Sequence, residues 1–378
     1  MHRVLAAMAL ALALLVGPAA GRLQHACLAA EPTLEELIEL VRQNELLYEQ
    51  IDVTMDMEYE VVGRGPMGDR PIEKGHGFRE ILKERARHRY VSQNGLYFSE
   101  RLASFTTSDG SRHDVPVIAA FNGAETRTLT DRLGNVLRGR HDAAVPIWPH
   151  TLLLQSVQVP LSVYLAGADA IRRYGQGVLD GRAGPRQIAG RSDWRGEPAI
   201  KVVAYFAPGP TFGGKWEIWL AENRGYIPVR TVGYQYWISH AVPTGEAEVL
   251  SWREVQPGIW FPAHVRATTV RPDLLQMEGR RVRNSTREWR LRAISLEPRH
   301  EASFFVVDFP AGTFVYEVSD NQVVRRYQQG IPATGRGRRA IRGWLLLLGL
   351  LGCLAGSIVY ICVRCRRRSH QQAVRHAP

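Results

Sequence analysis

The stretch LEELIELVRQNELLYEQIDVTMDMEYE, residues 34–60, decides the fold. Its first half has a helical period. Thr33 is suited to an N-cap, and Glu36, three residues on, completes a capping box. Leu37, Leu40, Val41, Leu47, Tyr48 and Ile51 recur at roughly helical spacing, which predicts a helix over 33–50 with one apolar face. The period then drops to two. Val53, Met55, Met57, Tyr59 and Val61 alternate with Asp52, Thr54, Asp56, Glu58 and Glu60, the pattern of a strand buried on one face.

Sheet patterns continue downstream. Strands are expected at 86–92, 96–106, 115–121, 125–130, 199–206, 215–221, 226–237, 246–255, 259–270, 285–296 and 313–318. Several are separated by short turn clusters such as AENRG before Tyr226 and QPG at 256–258, as in antiparallel hairpins. One stretch breaks the rhythm. Residues 146–174 are dense in apolar groups and read as one or two helices, with Pro160 starting the second. The class is α+β: a large antiparallel sheet with covering helices. The body, 31–328, is either one wrapped sheet or two lobes divided near 145–185.

Charge bounds the function. The 378-residue chain carries 48 Lys plus Arg, 37 Asp plus Glu and a formal net charge of +11. Nine Arg and no acid lie between Arg336 and the C-terminus, and Arg3 and Arg22 lie in the first thirty residues. Removing those eleven leaves 37 basic against 37 acidic residues in 31–335. The body is neutral, which argues against nucleic acid as a partner. Four Cys are too few for a disulfide scaffold.

The ends read as topology signals. Arg3 followed by the apolar run Val4–Val16 resembles a secretory signal, 1–20, with small residues suited to cleavage near 20 and again near 30. Gln24 and His25 before Ala26 fit poorly with lipid modification of Cys27. Trp344–Val363 is an uncharged apolar run of 20 residues, about 30 Å as a helix, and predicts a single transmembrane span. Arg residues flank it evenly, so the signal peptide sets orientation: body outside the cytoplasm, tail 364–378 inside. Residues 329–343 read as a basic linker. Gly352 and Gly356 offer a face for a homodimer within the membrane. No sorting tripeptide precedes Trp344.

No catalytic signature stands in the sequence, and HExxH, GxSxG and the P-loop are missing. The one GxGxxG spacing, Gly63 to Gly68, reads as a turn, and the one CxxC spacing, Cys362 to Cys365, lies at the edge of the last apolar run, so neither implies a cofactor or metal. His141-Asp142 and His300-Glu301 are isolated pairs, and Arg287, Glu288, Arg290 and Arg292 read as a solvated strand face. The aromatic residues are more informative. Trp194, Trp216, Trp219, Trp237, Trp252, Trp260 and Trp289 crowd the second half of the body. Strands with large apolar groups on both faces need cover on both, or one face lines a cavity.

The helix-to-strand segment, together with IAGRSDWRGEPAIKVVAYF, KWEIWLAENRGYIPVRTVGY and EVLSWREVQPGIWFPAHVRATT, resembles the outer-membrane lipoprotein carrier and sorting (Lol-type) superfamily. The resemblance implies an unclosed β-barrel whose concave, helix-covered face receives acyl chains. The predicted membrane span and the longer body depart from the soluble carriers. The implied function is a membrane-anchored, extracytoplasmic, non-catalytic protein that binds a lipid or acylated protein. Trp216, Trp219, Trp252, Trp260 and Phe261 are the candidate lining. The alternatives are a structural, sensor or protein-interaction module of the cell envelope without a bound ligand, and an envelope hydrolase.

Overall fold

The computed structural model describes residues 31–61, 81–107, 110–139, 147–155, 157–174, 183–206, 213–319 and 322–330. The signal sequence, Cys27, most of the linker, the span 344–363 with its Gly pair, and the basic tail lie outside the described residues. Among the described residues no helix is long and apolar enough to cross a membrane.

Helix α1 is Leu34–Leu46, capped by Thr33 and Glu36 as the capping box requires. It ends four residues earlier than the periodicity suggests. Leu47–Gln50 form a turn, and Ile51 opens the first strand. That turn lets Leu37 and Val41 pack as helix residues while Ile51 packs as a strand residue.

Fifteen strands are described. They are β1 (Ile51–Val61), β2 (Ile81–Gln93), β3 (Leu96–Thr107), β4 (Arg112–Phe121), β5 (Glu125–Thr130), β6 (Leu133–Arg138), β7 (Ala183–Trp194) and β8 (Glu197–Phe206). The remainder are β9 (Gly214–Ala221), β10 (Ile227–Gln235), β11 (Gly245–Gln256), β12 (Ile259–Val270), β13 (Arg283–Ser295), β14 (Phe314–Ser319) and β15 (Gln322–Gln328). Strands β6, β7 and β15 are not among the strands expected from the sequence. A 3-10 turn, Pro149–Leu152, and helices α2 (Leu161–Ala166) and α3 (Ala168–Tyr174) lie in the mid-chain stretch, with Pro160 at the cap of α2. Helix α4 is Pro272–Glu278.

The described residues fall into two compact units, those within 31–131 and 135–307, and those within 132–134 and 308–330. In the second, β14 and β15 pair antiparallel, and the amide of Phe314 donates to the carbonyl of Arg132 at 2.8 Å. The first unit holds the large sheet, ordered β6-β5-β4-β3-β2-β1-β13-β12-β11-β10-β9-β8-β7. It is unclosed, since β7 pairs only with β8. Two meanders, β1–β6 and β7–β13, are joined where β1 pairs with β13.

Antiparallel partners share a face, so the register defines rows across the sheet. One row runs Val202, Ile218, Thr231, Ala247, Ala267, Arg287, Tyr59, Glu84, Phe105, His113. This is the packed face. Leu37 and Val41 of α1, Leu161 and Leu165 of α2 and Ile171 of α3 bury Ile200, Val202, Ile218 and Leu220 beneath them. Leu152 and Leu153 join Val53, Met55, Val249, Val265 and Leu291 in a second cluster. On the opposite face a row reads Lys201, Trp219, Arg230, Glu248, Arg266, Glu288, Glu58, Arg85. Its charges pair across strands, with Arg266–Glu288 at 2.9 Å and Arg85–Glu58 at 3.2 Å. Such exposed pairs contribute about 0–1 kcal/mol each.

The cover is fastened by Glu45 at the end of α1. Its carboxylate accepts from the backbone amides of Leu161 and Ser162, the latter at 3.3 Å, and from the Ser162 hydroxyl at 2.5 Å. It thereby satisfies donors at the start of α2 that have no partner within the helix. Burial raises the Glu45 carboxyl above its ordinary range. Beside it His150 is fully buried, and its Nε2 donates to the Val159 carbonyl at 2.9 Å. Burial pushes His150 down to about 4.

Glu45→Ala strands these donors and should cost about 2–3 kcal/mol of stability by chemical denaturation. The buried His150 stays neutral while an unfolded one takes a proton below about 6.5. Its contribution is therefore present above pH 6.5 and lost as pH falls toward 4, at up to roughly 1.4 kcal/mol per pH unit. Glu45, with its raised pKa, acts in the opposite sense. Denaturation of the wild type and His150→Gln between pH 4 and 7 should show a shallower slope in the variant.

Candidate functional site

The packed face changes character along its length. From β8 to β12 its row is apolar or hydroxyl-bearing; over β13, β1 and β2 it becomes ionisable. The next row toward the end of the strands reads Ala204, Trp216, Gly233, Gly245, Thr269, Ser285, Val61. Here a cleft of about 280 Å³ opens, walled by Phe206, Trp216, Gly233, Tyr234, Ile238 and Val270. Gly233 exists because Trp216 lies on it: a Cβ there would stand 2.6 Å from the indole Cζ3. The indole is thus laid flat along the sheet and forms one wall. Ile238, Val270 and Leu275 of α4 form a small cluster at the same end.

The five aromatic candidates do not form one lining. Trp216 walls the cleft. Trp219 lies in the charged row of the opposite face, with the Lys201 ammonium 4.8 Å and the Arg230 guanidinium 5.1 Å from its ring. Phe261 is fully buried, its ring meeting Tyr48 edge-on at 6.0 Å. Trp260 has the Arg224 guanidinium 3.7 Å over its ring and accepts the Tyr48 hydroxyl at its carbonyl, while Trp252 lies 5.8 Å from the same guanidinium. These last three belong to the end of β11 and β12 away from the cleft, because β12 runs from Ile259 to Val270. Period two separates Trp216 from Trp219 in the sequence. No sequence signal distinguishes the ends of neighbouring strands.

Arg287 also departs from its expected place. Glu288, Arg290 and Arg292 do point to the charged face, where Glu288 pairs with Arg266 and Arg290 lies 3.5 Å from Glu58. Arg287 shares the packed face with Trp289 and Leu291. Its parity with Trp289 was the available signal. His300 bonds to Asp52 at 2.9 Å, and Arg89 holds the same carboxylate at 2.7 Å, so this histidine clamps β1 to the segment before Phe304. Among the described residues no group of three His, Cys, Asp or Glu is placed to hold a metal. Another cleft, of about 220 Å³, is lined by Arg195, Arg230, Glu246, Glu248 and Arg266; Arg195 pairs with Glu248 and Arg230 with Glu246, while Arg266 pairs with Glu288 outside it.

No family model matches the sequence, and no curated protein matches it. Solved structures do resemble the chain. One is a domain assigned to outer-membrane lipoprotein sorting in Vibrio parahaemolyticus, 10% identical, spanning 72% of this chain and 97% of its own, with a TM-score of 0.38. A DUF1329 family protein of Desulfovibrio piger is 9% identical over 73% of this chain and 98% of its own, TM-score 0.37. The Mycobacterium tuberculosis lipoprotein LppX is 11% identical over 70% and 97%, TM-score 0.24. At such low identity and TM-score these likenesses carry no inference about ligand or partner.

Gly233→Ala forces the Trp216 ring off the sheet and should destabilise the fold by about 1–3 kcal/mol. Trp216→Ala in the same chain removes the clash. The double variant should therefore lose less than the sum of the two single variants, as read from a double-mutant cycle of denaturation midpoints.

Proposed function

We propose that this protein is a non-catalytic, membrane-anchored binding protein whose body, outside the cytoplasm, takes up an acyl chain of a lipid or an acylated protein. Residues 344–363 would be the anchor, and 364–378 the cytoplasmic tail. One observation carries the reading. The cleft beside Trp216 opens directly from the packed apolar face and is walled by Phe206, Ile238 and Val270. Each buried methylene contributes about 0.8 kcal/mol, so six would gain roughly 5 kcal/mol before the cost of ordering the chain.

A second reading has its own support. Over β8 and β9 the packed face is filled by Leu37, Val41, Leu161, Leu165 and Ile171. An envelope interaction module without a ligand needs no more than that. In the binding reading, α1 to α3 stay in place and the ligand uses the uncovered end.

The two readings separate by experiment. Purified full-length protein should carry lipid detectable by mass spectrometry and should bind a fluorescent acyl probe. Thr269 is exposed at the lip of the cleft. Thr269→Trp should weaken probe binding about fivefold or more with an unchanged melting temperature. No co-purifying lipid together with no probe binding leaves the ligand-free module.

A further inference from the structure

Among the described residues, the ionisable half of the packed face holds a charge that no ion pair balances. Arg287, Tyr59 and Glu84 are consecutive in the row, and His88 and Arg101 pair across β2 and β3 on the same face. Met57, Ala86 and Ala103 are buried among them, and Trp289 packs against that floor. Arg101 forms an ion pair with Glu84. Arg287 donates to the Gln155 side-chain carbonyl and lies 5.0 Å over the Tyr59 ring, but has no ion pair among the described residues. Two guanidinium groups against one carboxylate leave one positive charge over.

Buried nitrogens are left over too. His88 Nε2, Arg101 Nε, Arg287 Nε and Trp289 Nε1 are all buried without a hydrogen-bond partner among the described residues. A buried unsatisfied donor or acceptor costs about 1–3 kcal/mol, and few survive in a folded protein without a reason. Here four belong to side chains of one neighbourhood. The His88 and Trp289 rings meet edge to face at 5.0 Å. Burial first, then the charges of Arg101 and Arg287, push His88 down to about 3, so it sits neutral between two cations. Arg101 is about two-fifths exposed, which leaves the cluster reachable from solvent.

We infer that this cluster is an anion site, taking the carboxylate or phosphate oxygens of an amphiphile whose chain runs along the same face toward Trp216. An oxyanion accepts from guanidinium and indole N–H groups with charge-assisted bonds, and it supplies the missing negative charge. The spacing fits. Strand β13, bearing Arg287, lies three strands from β10, bearing Gly233, roughly 14 Å at the usual strand separation. The chain-binding half of this inference rests on the acyl reading above; the anion half rests on the cluster alone.

The test uses the full chain in neutral-lipid nanodiscs, with decanoate, decanol and inorganic phosphate as probes. His88 is followed by NMR, and Arg287→Met and Arg287→Lys are the variants. Decanoate should bind at least about tenfold more tightly than decanol. It should also raise the His88 pKa toward its ordinary value. Arg287→Met should erase the preference with an equal or higher melting temperature, and Arg287→Lys should keep part of it. Equal binding of decanoate and decanol with His88 unmoved overturns the anion site and leaves the acyl reading intact. If phosphate alone moves His88 and neither decyl probe binds, the anion site stands for a free anion and the acyl reading falls. If no probe binds and His88 stays unmoved, both fall.

Discussion

Cross-strand register is the constraint on which everything else here depends. Because side chains alternate with period two, fixing the pairing of one strand fixes which of its residues face the helices. Ten strands hold this without a break along the row from Val202 to His113. The row on the reverse carries Lys201, Arg230, Glu248, Arg266 and Glu288. A one-residue slip at any pair would exchange these two sets, burying the charges and exposing the core. The bulges in β10 and in the β1–β13 pair fall outside the stretch where the rows carry the cleft and the cluster.

The helices depend on that face. Leu37, Val41, Leu161, Leu165 and Ile171 are buried in one cluster with Ile200, Val202, Ile218 and Leu220 of the sheet, and short helices such as α2 and α3 have little stability of their own. Glu45 adds direction to what would otherwise be a non-directional contact. It ties the end of α1 to the start of α2 through three hydrogen bonds, across more than a hundred residues of chain.

Much of the fold was legible. The switch from Leu37 and Val41 at helical spacing to Val53, Met55 and Met57 at period two marks α1 and β1 directly, and the AENRG and QPG turns mark hairpins. Strands β7 and β15 were illegible because neither has a buried residue: QVVRRYQ is mostly exposed, and β7 alternates only between half-exposed and exposed positions. The site was harder to read. Aromatic content singled out Trp216 together with four residues that pack elsewhere, and Arg287 hid within a run of surface arginines. Faces are a local property and follow from parity. Which residues of distant strands meet is a property of the pairing order, and that order appears only when β1 is set against β13.

That junction bears on the time course of folding. Each meander can form from near neighbours, β2 with β3 and β11 with β12, whereas Asp52 meets Ser295 across more than two hundred residues. Contacts so remote in sequence close slowly, because loop entropy opposes them before any burial repays it. Tyr59 belongs to the first meander and Arg287 to the last strand of the second, and the cluster straddles the seam between them. A chain emerging N-terminus first therefore displays half of an apolar face, and half of a charged cluster, until β13 arrives. The edge of β1 is an open template for foreign strands throughout that interval. The last step of assembly both removes this hazard and creates the place where Arg287, Glu84 and His88 come together.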